Sequence, residues 1–224
     1  MTKEVVNKGI EKSQSSDIKI RSVTINDLQP IAKVHVAAFP KSALTKLGLG
    51  AVYRYYHWQL TGPHRCVALG AWQNDNLCGF SFGGRFNGAL SGFLKTHRWY
   101  LLTKVISKPW LMFHPWFRER IVFAIRGLFR RQSTSLTRGS AGRTESFGIL
   151  AIAVAPTAKR KGIGSLLMEM CEESAISWNA NRMHLTVAVH NIEAIKFYEA
   201  LGWQQESSTG KWTGTMVKQI PRVT

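Results

Sequence analysis

The 224-residue sequence predicts a mixed α/β fold in one domain, and three observations carry that prediction. An apolar run, Ile149-Leu150-Ala151-Ile152-Ala153-Val154, reads as a buried strand and passes through a short glycine turn into an amphipathic helix with Ile163, Leu166, Leu167 and Met170 on one face. Two further apolar runs, Arg65 to Trp72 and Leu77 to Phe82, flank the polar turn Gln73-Asn74-Asp75-Asn76 and read as a hairpin. Finally, a chain of this length with 45% hydrophobic residues is large enough to bury a substantial core.

Residues 1–16 are polar, lack the apolar stretch of a signal peptide, and are expected to form a flexible tail before a single domain over 17–224. Ile18, Ile20 and Val23 alternate with polar residues as a first strand. Asn26 or Asp27 is placed to cap a helix running through Ile31, Val34, His35 and Ala38 to Pro40. A second helix is expected over Ser42 to Leu60, with Leu44, Leu47, Leu49, Val52 and Tyr55 or Tyr56 as its apolar face and Gly48 and Gly50 as break points. After the hairpin comes an insertion, about 86–143, opened by the glycine-rich Gly83 to Gly88 and closed by the Ser, Thr and Gly of Ser133 to Gly142. Within it Trp99, Leu102, Val105 and Ile106 share one helical face. Phe117, Ile121, Ala124, Ile125 and Leu128 form another stripe beyond Pro109 and Pro115, flanked by Arg118, Arg126, Arg130 and Arg131. Such helices either cap a site or lie on a basic, aromatic interface.

Beyond the Ile149 strand and its helix, Met183, Leu185, Val187 and Val189 alternate as another strand. Asn191 then suits an N-cap, Glu193 the first turn, and Ala194, Ile195, Tyr198 and Leu201 the inward face of a short helix that Gly202 can end. Residues 203–220 can supply a closing strand pair, with Trp212, Met216, Val217 and Ile220 as packing residues.

The net charge of +17 is unevenly placed: residues 86–143 hold eleven Lys or Arg against one acid, Glu119. This face would attract a phosphorylated or nucleotide-linked molecule or an anionic membrane surface. No nucleic-acid recognition motif accompanies the charge, so nucleic acid is not expected as a partner. The three cysteines, Cys66, Cys78 and Cys171, are widely spaced and show neither a disulfide framework nor a metal pattern, so no metal is expected. Reduced thiols point to the cytoplasm, either free or peripheral to a membrane, and no run is long enough to span one. A homodimer stays open.

The turn Lys159-Arg160-Lys161-Gly162-Ile163-Gly164 has the makings of a phosphate cradle. Glycines let an anion approach the backbone, first-turn amides of a helix lack intrahelical partners, the helix dipole is positive there, and three cations adjoin it. The segment resembles the acetyl-coenzyme A motif of the GNAT superfamily of N-acetyltransferases, with Lys159 where that family usually carries Gln or Arg. The later Asn191-Ile192-Glu193-Ala194-Ile195-Lys196-Phe197-Tyr198-Glu199-Ala200-Leu201-Gly202-Trp203 is similar to its Asn, Ala, Phe-Tyr, Leu-Gly-Phe signature, Trp replacing the last Phe. The resemblance covers roughly 17–85 and 146–220.

The resemblance implies a mostly antiparallel central sheet flanked by helices, with a helical insertion between the third and fourth strands. It implies that main-chain groups of Ile152, Ala153 and Val154 hold the pantetheine arm, and that Lys159, Arg160, Lys161, Gly162, Ile163, Gly164 and Ser165 hold the pyrophosphate. Asn191 would hold the arm or cap its own helix. Tyr198 stands at the family's general-acid position, a phenol with an ordinary pKa of about 10. Several relatives carry a Glu base on the cofactor strand or its neighbour, and this chain has none there; Glu145 and His190 lie just outside those strands and could act through water. The implied function is acetyl transfer from acetyl-coenzyme A to a primary amine by direct attack, with an amino sugar or related metabolite preferred over a protein N-terminus or lysine. A non-catalytic acyl-coenzyme A-binding or membrane-associated module is the alternative.

Overall fold

A computed structural model describes residues 18–86, 89–108, 146–207 and 212–221. The expected tail, the Phe117 stripe, the Ser133 to Gly142 run and Glu145 lie outside them. One seven-stranded sheet runs β1(Ile18–Ser22), β2(Arg65–Gln73), β3(Asn76–Arg85), β4(Ser146–Val154), β5(Arg182–Thr186), β7(Thr215–Gln219), β6(Gln204–Gln205) in spatial order. Every pairing is antiparallel except β4 with β5. The β2–β3 hairpin turns at Asn74 and Asp75, both with positive φ, which these residue types tolerate.

Helices cover both faces, and each face has its own core. On one face α1(Leu28–Ala38) and α3(Leu49–Thr61) bury Leu28, Ile31, Val52 and Tyr56 against Phe80 and Phe82 of β3. On the other, α6(Ile163–Ser177) and α7(Ile192–Ala200) bury Ile163, Leu167, Cys171, Ile195 and Tyr198 against Ile20, Phe147, Met183, Leu185 and Trp203. All three cysteines are free thiols. Residues 203–220 supply β6 and β7 as expected, though β6 is only two residues long.

The segment expected as one helix is two, α2(Ala43–Leu47) and α3, broken at Gly48, whose φ of 105° is out of reach of ordinary side chains. Asp27 does not cap α1 with its side chain. Its carboxylate is spent on Arg21, bidentately at 2.8 and 2.9 Å, and on the backbone N–H and hydroxyl of Thr24, each at 2.8 Å. Between α1 and α3 lies a buried polar chain. Among the described residues the fully buried Tyr56 hydroxyl meets only His35 Nδ1, at 2.9 Å, so it donates there and leaves the ring proton on Nε2, facing Ser42 Oγ at 3.3 Å.

These groups contribute to the acid stability, alongside His64, His97 and His184, whose pKa values desolvation also lowers. Burial holds His35 down to about 4, while an unfolded imidazole takes its proton near 6.5. Its contribution is therefore full above pH 6.5 and lost as pH falls to about 4, a difference on the order of 3 kcal/mol. Hydrogen bonds from Arg21 hold Asp27 at about 2 against an ordinary 3.8, so its contribution disappears below that first window. Urea unfolding followed from pH 8 to 3 should show stability falling first between 6.5 and 4. His35→Gln should shrink that limb and spare the lower one, to which Asp27 contributes; an unchanged upper limb would assign it to His64, His97 and His184.

The described part of the insertion is helical, as expected: α4(Ala89–Thr96) and α5(Arg98–Ile106). It docks on α2 and α3, with Phe93 edge-on to Tyr55 at 5.3 Å and Arg54 over the Tyr100 ring at 4.0 Å. The stripe of Trp99, Leu102, Val105 and Ile106 is not the packed side. Leu101 is buried instead, while Trp99, Leu102 and Ile106 face outward.

Candidate active site

The strand pair β4–β5 is joined only from Ser146/Arg182 to Ile149/Leu185, and beyond that point β4 pairs with β3 alone. A bulge marks the divergence: the β3–β4 register shifts between Phe82 and Gly83, leaving Leu150 extra, and Leu150 and Ala151 consequently face the same core. Ala155 N–H donates to Cys78 O on β3 at 2.7 Å. Because backbone groups alternate sides along a strand, Ala153 also points toward β3, whereas Ile152 and Val154 direct theirs into the gap on the β5 side.

At the far end of the gap the chain turns through Lys159 to Gly162 into α6. Arg160 (φ 61°) and Gly162 (φ 74°) are both left-handed, and Lys159, Arg160, Lys161 and Ser165 are exposed. The first main-chain bond of the helix is Leu166 N–H to Gly162 O at 3.0 Å, so the amides of Ile163, Gly164 and Ser165 have no main-chain partner among the described residues. Successive amides around left-handed residues at a helix N-terminus form an anion-binding concavity. The two glycines have different surroundings. A Cβ on Gly162 would meet nothing within 4 Å, so its hydrogen faces open space. A Cβ on Gly164 would lie 3.2 Å from the Phe197 ring, so this glycine also leaves room for α7.

Helix α7 carries the second signature. Asn191 Oδ1 accepts from Ala194 N–H at 3.2 Å and caps the helix. The helix ends as Gly202 N–H donates to Glu199 O and Trp203 N–H to Tyr198 O, with Gly202 left-handed at φ 81°. Tyr198 is 9% exposed between Phe197 and Trp203, with ring centroids 5.2 and 6.1 Å away. Burial pushes its phenol up to about 12, so it keeps its proton at neutral pH. It makes no side-chain hydrogen bond among the described residues.

Of the two sequence candidates for a base, His190 sits exposed in the turn immediately before Asn191, and Glu145 lies outside the described residues. Sequence reasoning missed His184. On β5, Met183 and Leu185 enter the core beneath α6, so His184 projects from the opposite face, which on neighbouring strands carries Ala151 and Ala153. It is paired with Gly148 one step before the strands part, its Nε2 2.9 Å from where a Gly148 Cβ would stand. The residue is exposed to solvent, yet partial desolvation of its ring, with Arg182 adding to the effect, lowers its pKa and favours the neutral imidazole. Among the described residues no three His, Cys, Asp or Glu side chains cluster to hold a metal ion. None of the described helices is long and apolar enough to cross a membrane.

A family model described as the acetyltransferase (GNAT) family matches residues 36–203, which include the gap, the cradle and α7. The chain belongs to the GNAT acetyltransferase family. It is an acyltransferase. Its fold matches solved GNAT structures at low identity. The PaiA N-acetyltransferase of Thermoplasma acidophilum, in complex with coenzyme A, is 15% identical with a TM-score of 0.54, over 90% of this chain and 98% of that one. The ribosomal-protein-S18-alanine N-acetyltransferase of Escherichia coli is 16% identical with a TM-score of 0.53, over 92% and 96%. YncA of Salmonella typhimurium, solved with its cofactor acetyl-CoA, is 14% identical with a TM-score of 0.52, over 92% and 95%. No curated protein matches the chain significantly in sequence.

Proposed function

We propose that this GNAT chain transfers the acetyl group of acetyl-coenzyme A to the primary amine of a small molecule, such as an amino sugar or related metabolite. The observation that carries the reading is the gap between β4 and β5, which has main-chain groups of Ile152 and Val154 along it, free helix amides at one end and a buried phenol on the adjoining helix. The residues fit the cofactor: an extended arm with two amides can take the place of a strand along Ile152 and Val154, with the intervening Ala153 holding the strand to β3. The pyrophosphate can sit on the amides of Ile163 to Ser165, beside Gly162, with Lys159, Arg160 and Lys161 around it.

Acetyl-coenzyme A supplies the activated thioester. The amine nitrogen attacks its carbonyl carbon, a C–N bond forms and the C–S bond breaks. The phenol of Tyr198 gives its proton to the departing sulfur and recovers one from solvent. The amine must lose a proton, and neutral His184, directly or through water, is better placed than His190, since it stands where the strands part. Asn191 fixes the first turn of α7 and hence the direction of Tyr198. The docking of α4 and α5 on α2 and α3 supports the insertion as a wall on the face where His184 projects.

The test is release of free coenzyme A thiol with acetyl-coenzyme A and a panel of amines: amino sugars free and phosphorylated, polyamines, lysine and peptides with free N-termini. Turnover fastest on an amino sugar supports the reading. Turnover fastest on peptides replaces it with protein acetylation, and cofactor binding without thiol release on any amine replaces it with a non-catalytic module.

A further inference from the structure

The two helices of the insertion show different chemistry on their two sides. Inside, Phe93 and Leu101 are buried, and Lys108 Nζ donates to Lys46 O at 2.8 Å, tying the end of α5 to α2. Outside, Trp99 and Ile106 are each 69% exposed and Leu102 is 47% exposed, spaced three and four residues apart so that they form one stripe along α5. Leu90 of α4 is also exposed. An isolated exposed leucine needs no explanation, but an aligned tryptophan, leucine and isoleucine on a nine-residue helix do.

The charge around this stripe has one sign. Helices α4 and α5 carry Lys95, Arg98 and Lys104 and no acid, and across residues 28–108 the sole carboxylate is Asp75, at the β2–β3 turn. Where the stripe begins, a groove of about 630 Å³ opens between α3 and α4, lined by Trp58, His64, Lys95, Arg98 and Trp99. The sequence continues in kind after α5, with Trp110, Phe113, Trp116, Phe117, Arg118 and Arg120.

We propose that this face rests on an anionic phospholipid surface, with Trp99, Leu102 and Ile106 among the headgroups and Lys95 and Arg98 on lipid phosphates at the groove. Tryptophan is the side chain that sits best at a membrane–water boundary, and aliphatic neighbours add burial of apolar surface while cations add attraction to anionic lipid. Leu102 and Ile106 would gain nothing from the phosphates of a nucleic acid. The contact is peripheral, since α5 is far too short to span a bilayer. It needs no turnover and stands apart from the identity of the acceptor.

The test is co-sedimentation of the full chain with phosphatidylcholine vesicles, with and without phosphatidylglycerol. The expected result is binding to the anionic vesicles that weakens with salt. Lys95→Gln and Arg98→Gln should each weaken it by about fivefold at low salt, and the double variant Trp99→Ser, Ile106→Ser should abolish it. Unchanged coenzyme A affinity shows that each variant is folded. Failure of the parent to bind anionic vesicles overturns the proposal, as does binding that survives the double variant. A double variant that loses thermal stability while keeping lipid binding also overturns it, because the stripe would then be covered by this chain's own residues 109–145.

Discussion

Tyr198→Phe lowers kcat for acetyl transfer by about two to four orders of magnitude, the usual worth of a general acid, while coenzyme A affinity stays close to that of the parent. The substitution removes one oxygen from a ring that is 9% exposed and packed between Phe197 and Trp203, so the packing and the fold of α7 survive. The same burial that raises the phenol to about 12 keeps it protonated across the working pH range, which is the state a proton donor needs. Single-turnover thiol release measures the effect. An unaltered rate would leave Tyr198 as a packing residue and give the sulfur its proton from water.

Gly162→Asp is expected to weaken coenzyme A binding by about 10- to 100-fold, the equivalent of losing a charge-assisted hydrogen bond worth about 1.5–3 kcal/mol. A Cβ there meets no atom within 4 Å, and aspartate is among the few residues that tolerate a left-handed φ of 74°, so the melting temperature should move little. The carboxylate would stand where the pyrophosphate is proposed to sit. Gly164→Ala is the contrasting variant. Its methyl would stand 3.2 Å from the tip of the Phe197 ring, which must shift by a few tenths of an ångström, and it brings no charge to the cradle. Calorimetry with coenzyme A on both, next to thermal unfolding, separates anion repulsion from steric damage; equal affinity of Gly162→Asp and the parent would move the phosphates elsewhere.

Much of this architecture is legible in the sequence because its signals are local. The apolar runs of β2 and β3 on either side of a polar turn, the cap at Asn191 and the glycine that ends α7 each lie within a few residues of the contact they make. What cannot be read locally is what distant chain supplies. Gly164 reads as a phosphate glycine, and only the fold shows that Phe197, 33 positions on, stands beside it as well. Asp27 looks like a cap until Arg21 of β1 claims it. The apolar run of β4 gives no hint that Leu150 is a bulge, and so none that the sheet parts there. His184 reads as an ordinary outward residue of an alternating strand; its place beside the parting follows only from the register with Gly148. On α5 the periodicity locates a stripe but not which side of it is covered, because Trp99 and Leu101 are equally apolar and opposite in exposure.

The parting of β4 from β5 also bears on how this protein behaves with its gap unfilled. From Leu150 to Val154 one side of β4 offers a row of main-chain donors and acceptors with no neighbouring strand among the described residues, which is the condition of an edge strand placed in the middle of a sheet. Protein edges of that kind are templates for any extended chain and are usually blunted by charge, proline or twist. Here the run is Leu-Ala-Ile-Ala-Val, with none of those guards except the twist of the bulge. Whatever occupies the row therefore does two jobs with the same hydrogen bonds, holding itself in place and closing the most adhesive stretch of backbone in the described chain.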